Sequence, residues 1–501
     1  MEELLTGLLL RKSFAGRKRM IFGTTNSANK TISCRVNNVF TYSGGSWSRT
    51  GGTEYSATSD STGYFEIELP ETLVINNFTF DSSYGASQNN PEYITSINLS
   101  NIGKVDQVNS LLFAFSNLTH ATAIAGFNKF SQSPIVTMEG CFRACERLTS
   151  LDFTGMNTDD MIATSGATDG SQRYGFPNCF YDCVSLESLI LPKIPSTCYM
   201  GEGTFYGCEK LANVSCSGTV SNNLIIVSKK SGSTVGGSPL SLESMRNILS
   251  HLTTTPNSGA HCEFYDSAWY YACNDSQCQS LVSTATTNGW SFIPTYQIYY
   301  YDDCKSYSHF NTSSDGYYLI GAESSTDTQP CSVVLGKAYL MCNEPSTVTT
   351  HGHAEYRFSS AMNLTNATEL NMQIKAFNYT GSSSGGEGLV RYGLNTISET
   401  STQITTSNNN FKVYVQWIDS SNNTTSWITD DADSGGGTRI AIQKYNETPQ
   451  DLGSNVSYTL SFPSSGFDKT NVIGFNIMYM KTSDSMQERK KGGWFISIII
   501  K

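Results

Sequence analysis

Apolar and polar positions follow one recurring frame through the first half of the chain. Cys141-Phe142-Arg143-Ala144-Cys145-Glu146-Arg147-Leu148-Thr149-Ser150-Leu151 is one copy. Cys179-Phe180-Tyr181-Asp182-Cys183-Val184-Ser185-Leu186-Glu187-Ser188-Leu189 is a second, and Thr204-Phe205-Tyr206-Gly207-Cys208-Glu209-Lys210-Leu211-Ala212-Asn213-Val214 a third. Phe and Cys stand one helical turn apart, which predicts a short helical segment. Leu148, Leu151 and Phe153 then lead into the alternation of a strand. Ala114-Phe115-Ser116-Asn117-Leu118, with Ala121 and Ile124, is a weaker copy in which Leu118 takes the Cys place. The Phe anchors are 27, 38 and 25 residues apart, against a leucine-rich period of about 20–29. The long spacing holds an insertion from Asn157 to Tyr174. One such repeat cannot bury its apolar side alone. Roughly five stacked turns would bury a continuous core, with a parallel sheet along one side.

The flanks differ from the repeats. Thr31–Val36 and Tyr64–Leu69 alternate like strands, with turns expected at Ser43–Ser46 and Thr50–Gly52. This predicts a small β-unit over 25–71 that caps the array over 72–228. Over 229–295, Leu242, Met245, Leu249 and Leu252 recur at helical spacing, and a second helix is expected over 275–288. That segment reads as the atypical closing unit a repeat array requires. Residues 296–501 carry about nine short strand patterns separated by Gly- and Ser-rich breaks, which predicts a β-sandwich or jelly roll. Its last strand, 494–500, should be paired and central. The fold class is therefore multidomain and mainly β: a short repeat solenoid, an α/β closing unit and a C-terminal β-sandwich.

Composition narrows the function classes. Charged residues make up 15% and aromatics 12%, with a net charge of −11. This suits a β-rich binding protein and argues against nucleic acid as a partner. No stretch has the length and hydropathy of a membrane span. In the first 24 residues Leu5, Leu8 and Leu9 precede Arg11 and Lys12. That order is the reverse of an export signal, and the segment reads as an anchor docking on another subunit. Of the 14 cysteines, Cys145, Cys183 and Cys208 share the repeat position that Leu118 also fills. Buried reduced thiols are the favoured reading, ahead of disulfides and zinc.

The stretch Gly140–Leu151 resembles the BspA-type leucine-rich repeat, a family abundant in surface proteins and in phage-encoded proteins of gut bacteria. The likeness covers 72–228, and the closing segment resembles those that follow such repeats in phage tail or fibre proteins. It implies a repeat core of Phe142, Cys145, Leu148, Leu151, Phe180, Cys183, Leu186, Leu189, Phe205, Cys208 and Leu211. It also implies a virion protein, assembled in the host cytoplasm and released by lysis. Its partners would be other virion proteins, further copies of itself (a trimer is one option) and a bacterial surface glycan or protein.

Chemistry is sparse. There is no nucleophile elbow, zinc-protease helix or phosphate loop, and no acidic pair of the kind glycoside hydrolysis needs can be assigned. No cofactor or metal is implied. His351 and His353 read as a loop pair, and Asp430, Asp431 and Asp433 as a solvated turn rather than a calcium loop. The ligand-binding candidates are Trp427, Trp417 and Tyr445 in the β domain, with Asp159, Asp160, Arg173 and Tyr174 in the insertion. The expected function is a non-enzymatic virion fibre binding a host-surface glycan or protein. A bacterial surface adhesin and a polysaccharide-degrading enzyme are the alternatives.

Overall fold

The computed structural model describes the chain outside residues 1–18, 44–45, 85–89, 162–174, 199, 202, 228–237, 305–308, 313–316, 321–338, 343–353, 380–410, 427, 430–453, 461 and 482–489. The protein is mainly β and forms two compact units, Met1–Pro294 and Thr295–Lys501. The attachment residues Leu5, Leu8, Leu9, Arg11 and Lys12 lie outside the described residues, as do Arg173, Tyr174, Trp427 and Tyr445.

The first unit contains β1 (Arg19–Thr25), β2 (Thr31–Ser43), β3 (Ser46–Thr58), β4 (Tyr64–Leu69), β5 (Phe78–Thr79), β6 (Ile94–Asn98), β7 (Ala123–Ala125), β8 (Ser150–Asp152), β9 (Ser188–Leu191), β10 (Asn213–Cys216), β11 (Leu224–Ile226), β12 (His261–Phe264) and β13 (Ser291–Ile293). It also holds helices α1 (Leu242–Ser250), α2 (Asp266–Asn274) and α3 (Ser276–Thr287). Phe65, Ile67 and Leu69 alternate inward on β4, which pairs with β1. The opposite edge of β1 takes β6 in antiparallel register, and from there the pairing is parallel, β6 with β7, β8 with β9 and β9 with β10. Gly51 and Gly52, expected at a turn, lie inside β3 instead. Their φ angles are +64° and +80°, and a Cβ on Gly52 would meet Val36 O at 3.0 Å.

Successive turns of the repeat lie on one another through main-chain bonds. The N–H groups of Phe115, Phe142 and Phe180 donate to the carbonyls of Cys141, Cys179 and Thr204, each at 2.9 Å. The second residue after each Phe is left-handed: Asn117, Ala144, Asp182 and Gly207 have φ between 57° and 79°. The N–H groups of the first three donate to Arg143, Tyr181 and Tyr206 carbonyls at 2.7 Å. The repeat thus uses a left-handed residue to aim one donor at the next turn. The insertion interrupts nothing, because Thr137 bridges directly to Gly175 and Met138 N–H donates to Gly175 O at 2.7 Å.

Inside, the repeat Phe side chains form a column. Phe80, Phe115, Phe142, Phe180 and Phe205 stack in sequence with centroids 5.1–5.9 Å apart. The repeat leucines Leu148, Leu151, Leu186, Leu189 and Leu211 are buried beside them. Cys145, Cys183 and Cys208 are buried and unbridged, and each Sγ–H donates at 3.1 Å to the carbonyl of the preceding turn's Phe. Burial raises the Cys183 pKa to about 12 and those of Cys141, Cys145, Cys179 and Cys208 well above the ordinary thiol range. A thiol fills this slot because it packs as a small hydrophobe and still offers a weak donor.

The array is followed by β11, β12 and β13, which pair in parallel, and by the three helices. Ser241 caps α1 by accepting from Ser244 N–H. The buried face of α1 is Ser244, Met245, Ile248 and Leu249, one step round from the stripe through Leu242 and Leu252. Asp275 caps α3 through Cys278 N–H and holds Arg246 of α1 at 2.6 Å.

The second unit contains β14 (Tyr300–Asp302), β15 (Phe310–Thr312), β16 (Tyr317–Ile320), β17 (Tyr339–Cys342), β18 (Ala354–Met362), β19 (Glu369–Tyr379), β20 (Phe411–Asp419), β21 (Ile428–Thr429), β22 (Ser454–Thr459), β23 (Val472–Lys481) and β24 (Lys490–Ile500). They form two antiparallel sheets. One runs β16-β17-β24-β19-β22, with β14 also on β24; the other runs β15-β18-β23-β20-β21. Tyr356, Trp417, Phe475 and Ile477 of the second sheet share one core with Leu370, Met372, Ile498 and Ile500 of the first. The last strand, β24, is interior to its sheet. No helix among the described residues is long and apolar enough to cross a membrane.

Candidate functional site

The repeat frame fixes where its outer residues point. In the turns anchored by Phe142, Phe180 and Phe205 the following residue reaches the surface, as Arg143, Tyr181 and Tyr206, whereas after Phe115 it is the buried Ser116. These three form a continuous row on the outside of the array. The Tyr181 and Tyr206 rings are 4.5 Å apart, tilted by 33°. The Arg143 guanidinium lies 5.2 Å over the Tyr181 ring. Arg143 is exposed and the two tyrosines are half-buried. The row is rigid because each member sits beside a buried, stacked Phe and each carbonyl accepts the bond from the previous turn.

Carboxylates flank the row. Asp182 follows Tyr181, and Glu209 stands three residues after Tyr206 on the same turn. Burial raises the pKa of Tyr181, with the Asp182 charge adding and Arg143 opposing. Burial also raises that of Tyr206, reinforced by Tyr181, Asp182 and Glu209. Tyr265, immediately before α2, is pushed up to about 12 by burial and then by Asp266 and Glu209. The Glu209 carboxyl is itself raised, by burial alone. The arrangement offers aromatic rings, one guanidinium and carboxylate acceptors in a line. That is binding chemistry for hydroxyl-rich or charged groups.

The candidates named from sequence fall elsewhere. Trp417 is a correction: it is fully buried, packed on Phe462 at 5.8 Å and Phe475 at 5.2 Å. The alternation along β20 turns Val415 and Trp417 inward and Gln416 outward, so the indole is part of the core. Asp159 and Asp160 are exposed, and Asp159 pairs with Lys193 at 2.6 Å. On the outer face of the second sheet, Glu355, Asn476 and Gln416 are register partners. Asn476 donates to Gln416 Oε1 at 2.9 Å and Arg357 to Glu355 at 2.9 Å, leaving Asn476 Oδ1 buried with no donor.

Sequence reasoning missed the Arg143–Tyr181–Tyr206 row. The signal was present in the alignment of the repeats, where the position after Phe is Arg143, Tyr181 and Tyr206 in three successive turns, aromatic twice.

No family model matches the chain, and no curated protein matches it. Solved structures similar to part of it include three at 12% identity. One is the N-terminal endo-1,4-beta-D-xylanase 10B of Clostridium thermocellum, its CBM22-1 and GH10 modules complexed with xylohexaose. It aligns with a TM-score of 0.21 over 41% of this chain and 28% of that one. Another is the C-terminal family 22 carbohydrate-binding module of the same xylanase, with a TM-score of 0.20 over 40% of this chain and 94% of the other. The third is the xyloglucanase domain of NopAA from Sinorhizobium fredii in complex with cellobiose, with a TM-score of 0.16 over 40% and 99%.

Proposed function

We propose that this chain is a non-enzymatic attachment protein that binds a surface glycan, serving as an appendage of a phage virion. The single observation that carries the binding reading is the Arg143–Tyr181–Tyr206 row with its flanking carboxylates. Its side chains are ordered before any ligand arrives, so little conformational entropy is lost on binding. The finer architecture in this reading is a BspA-type leucine-rich solenoid closed by α1–α3, followed by a jelly-roll-like sandwich. The virion assignment rests on the likeness of the repeat and of its closing segment, with residues 1–24 docking on the particle and further copies completing an oligomer.

Glycan-array binding of the full chain tests the reading. Binding to at least one bacterial surface polysaccharide is expected, weakened about tenfold or more in Tyr206→Ala, as for loss of a stacking and polar contact. Equal binding by the variant would remove the row from the site. Release of shortened products would replace attachment with depolymerisation. Mass photometry showing only monomer, and absence of the protein from purified particles, would sink the virion assignment.

A further inference from the structure

The chain commits most of its described arginines to itself. Arg19 donates to five carbonyls and Arg49 to Gly51 O, while Arg35, Arg246 and Arg357 pair with Glu54, Asp275 and Glu355. Arg143 is different. Its guanidinium is exposed and, among the described residues, makes no ion pair and no side-chain hydrogen bond. What holds it is the Tyr181 ring, 5.2 Å away, itself backed by the Tyr206 ring at 4.5 Å. A ring attracts a guanidinium through its face and uses none of its five N–H donors. The two turns that carry this contact are tied together beside it: Ala144 N–H donates to Tyr181 O at 2.7 Å, and Phe142 stacks on Phe180 at 5.8 Å. The carboxylates of the row lie toward its other end. Asp182 Oδ1 faces the following turn, where a Cβ on Gly207 would meet it at 2.7 Å, and Glu209 stands on that same turn. The row therefore presents an uncommitted, positioned donor fork at one end and acceptors at the other.

We propose that Arg143, held on Tyr181, is a subsite for the carboxylate of a uronic acid in an acidic glycan. The planar guanidinium matches a carboxylate through two parallel, charge-assisted hydrogen bonds. The ring beneath it fixes the fork in advance, so less side-chain freedom is lost on binding. The opposite signs at the two ends of the row also set a direction, with the uronate at Arg143. This deepens the glycan reading above and rests on it. It narrows the ligand to polysaccharides bearing carboxylates.

Equilibrium binding of the full chain to polygalacturonate, alginate and hyaluronate tests it, each beside its carboxyl-reduced, neutral counterpart, with polyglutamate as a non-sugar polyanion. The expected result is that at least one acidic polymer binds about tenfold or more tighter than its reduced form, with Arg143→Gln abolishing the preference. Tyr181→Leu keeps the cation but removes its ring, and should weaken the preference severalfold. Arg147→Gln, exposed on the same turn and without a ring contact among the described residues, should leave it intact. Equal binding of acidic and reduced forms, or a preference that survives Arg143→Gln, overturns the subsite and leaves the glycan reading standing. Binding of polyglutamate alone, dependent on Arg143, overturns the uronate assignment and the glycan reading together. No binding of any probe overturns the subsite, and the glycan reading then stands or falls on the array.

Discussion

Truncating Phe142 to alanine removes the centre of the ring column. Phe142 stacks on Phe115 at 5.4 Å and Phe180 at 5.8 Å, and meets Phe127 at 5.7 Å and Phe153 at 5.8 Å. Phe205, at the end of the column, stacks on Phe180 at 5.1 Å. Losing a buried Phe costs about 3–5 kcal/mol in transfer and cavity energy. Each aromatic pair adds about 0.5–1.5 kcal/mol beyond area. Three further ring partners therefore put Phe142→Ala at least about 1.5 kcal/mol above Phe205→Ala. Phe142→Leu keeps most of the volume and should recover about half of the alanine loss. Amide hydrogen exchange of the full chain, read on peptides covering β8–β10, measures this directly. A difference of about 1.5 kcal/mol appears as roughly tenfold faster exchange in Phe142→Ala than in Phe205→Ala. Equal losses at the two positions would refute the column as the source of cohesion between turns.

Four other outcomes follow from particular contacts. Ala144 holds φ 57°, and Ala144→Gly should raise the unfolding free energy by about 1 kcal/mol by relieving left-handed strain, seen in urea titration. The Arg19 guanidinium is buried and donates to the carbonyls of Pro70, Glu71, Leu73, Ile102 and Lys104. Arg19→Met leaves those acceptors unmet and should cost about 3 kcal/mol by the same titration. Asp275 is held well below the usual carboxylate range by Arg246 and by the α3 cap. A depressed carboxylate stabilises the fold above its unfolded value of 3.8 and loses that contribution as pH falls through its lower folded value. Thermal melts from pH 5 to pH 2 should therefore fall less steeply in Asp275→Asn than in the parent chain. The repeat thiols should resist iodoacetamide at pH 8 until denaturant is added, checked by intact mass; labelling of Cys183 in the native protein would contradict its burial.

Much of the repeat was legible because its period is written in apolar residues. Phe142, Cys145 and Leu148 must face inward in every turn, and the interchange of Cys183 with Leu118 already marks a core slot. The extent of α3 was legible too, since the helix expected over 275–288 is found at Ser276–Thr287. Helix α2 was not, because Trp269, Tyr270 and Tyr271 have no clean helical stripe; Trp269 packs on Phe292 while its neighbours stay half-buried. Trp417 misled for a related reason. Composition says that an aromatic is present, and only strand register decides which face receives it. The Tyr181–Tyr206 pair depends on which residues of successive turns coincide in space, which the 25-residue spacing encodes but a single repeat does not display.

The placement of β24 has a consequence for synthesis. Residues 490–500 pair with β14, β17 and β19, strands that begin as far back as Tyr300. The β16-β17-β24-β19-β22 sheet of the second unit stays divided until that segment has cleared the ribosome. The repeat turns of the first unit build from neighbours 25–38 residues apart and can consolidate one by one as they emerge. Nascent chains thus carry a finished stack ahead of an unfinished sheet with two exposed strand edges, the state in which a chaperone or an assembling partner has most to protect.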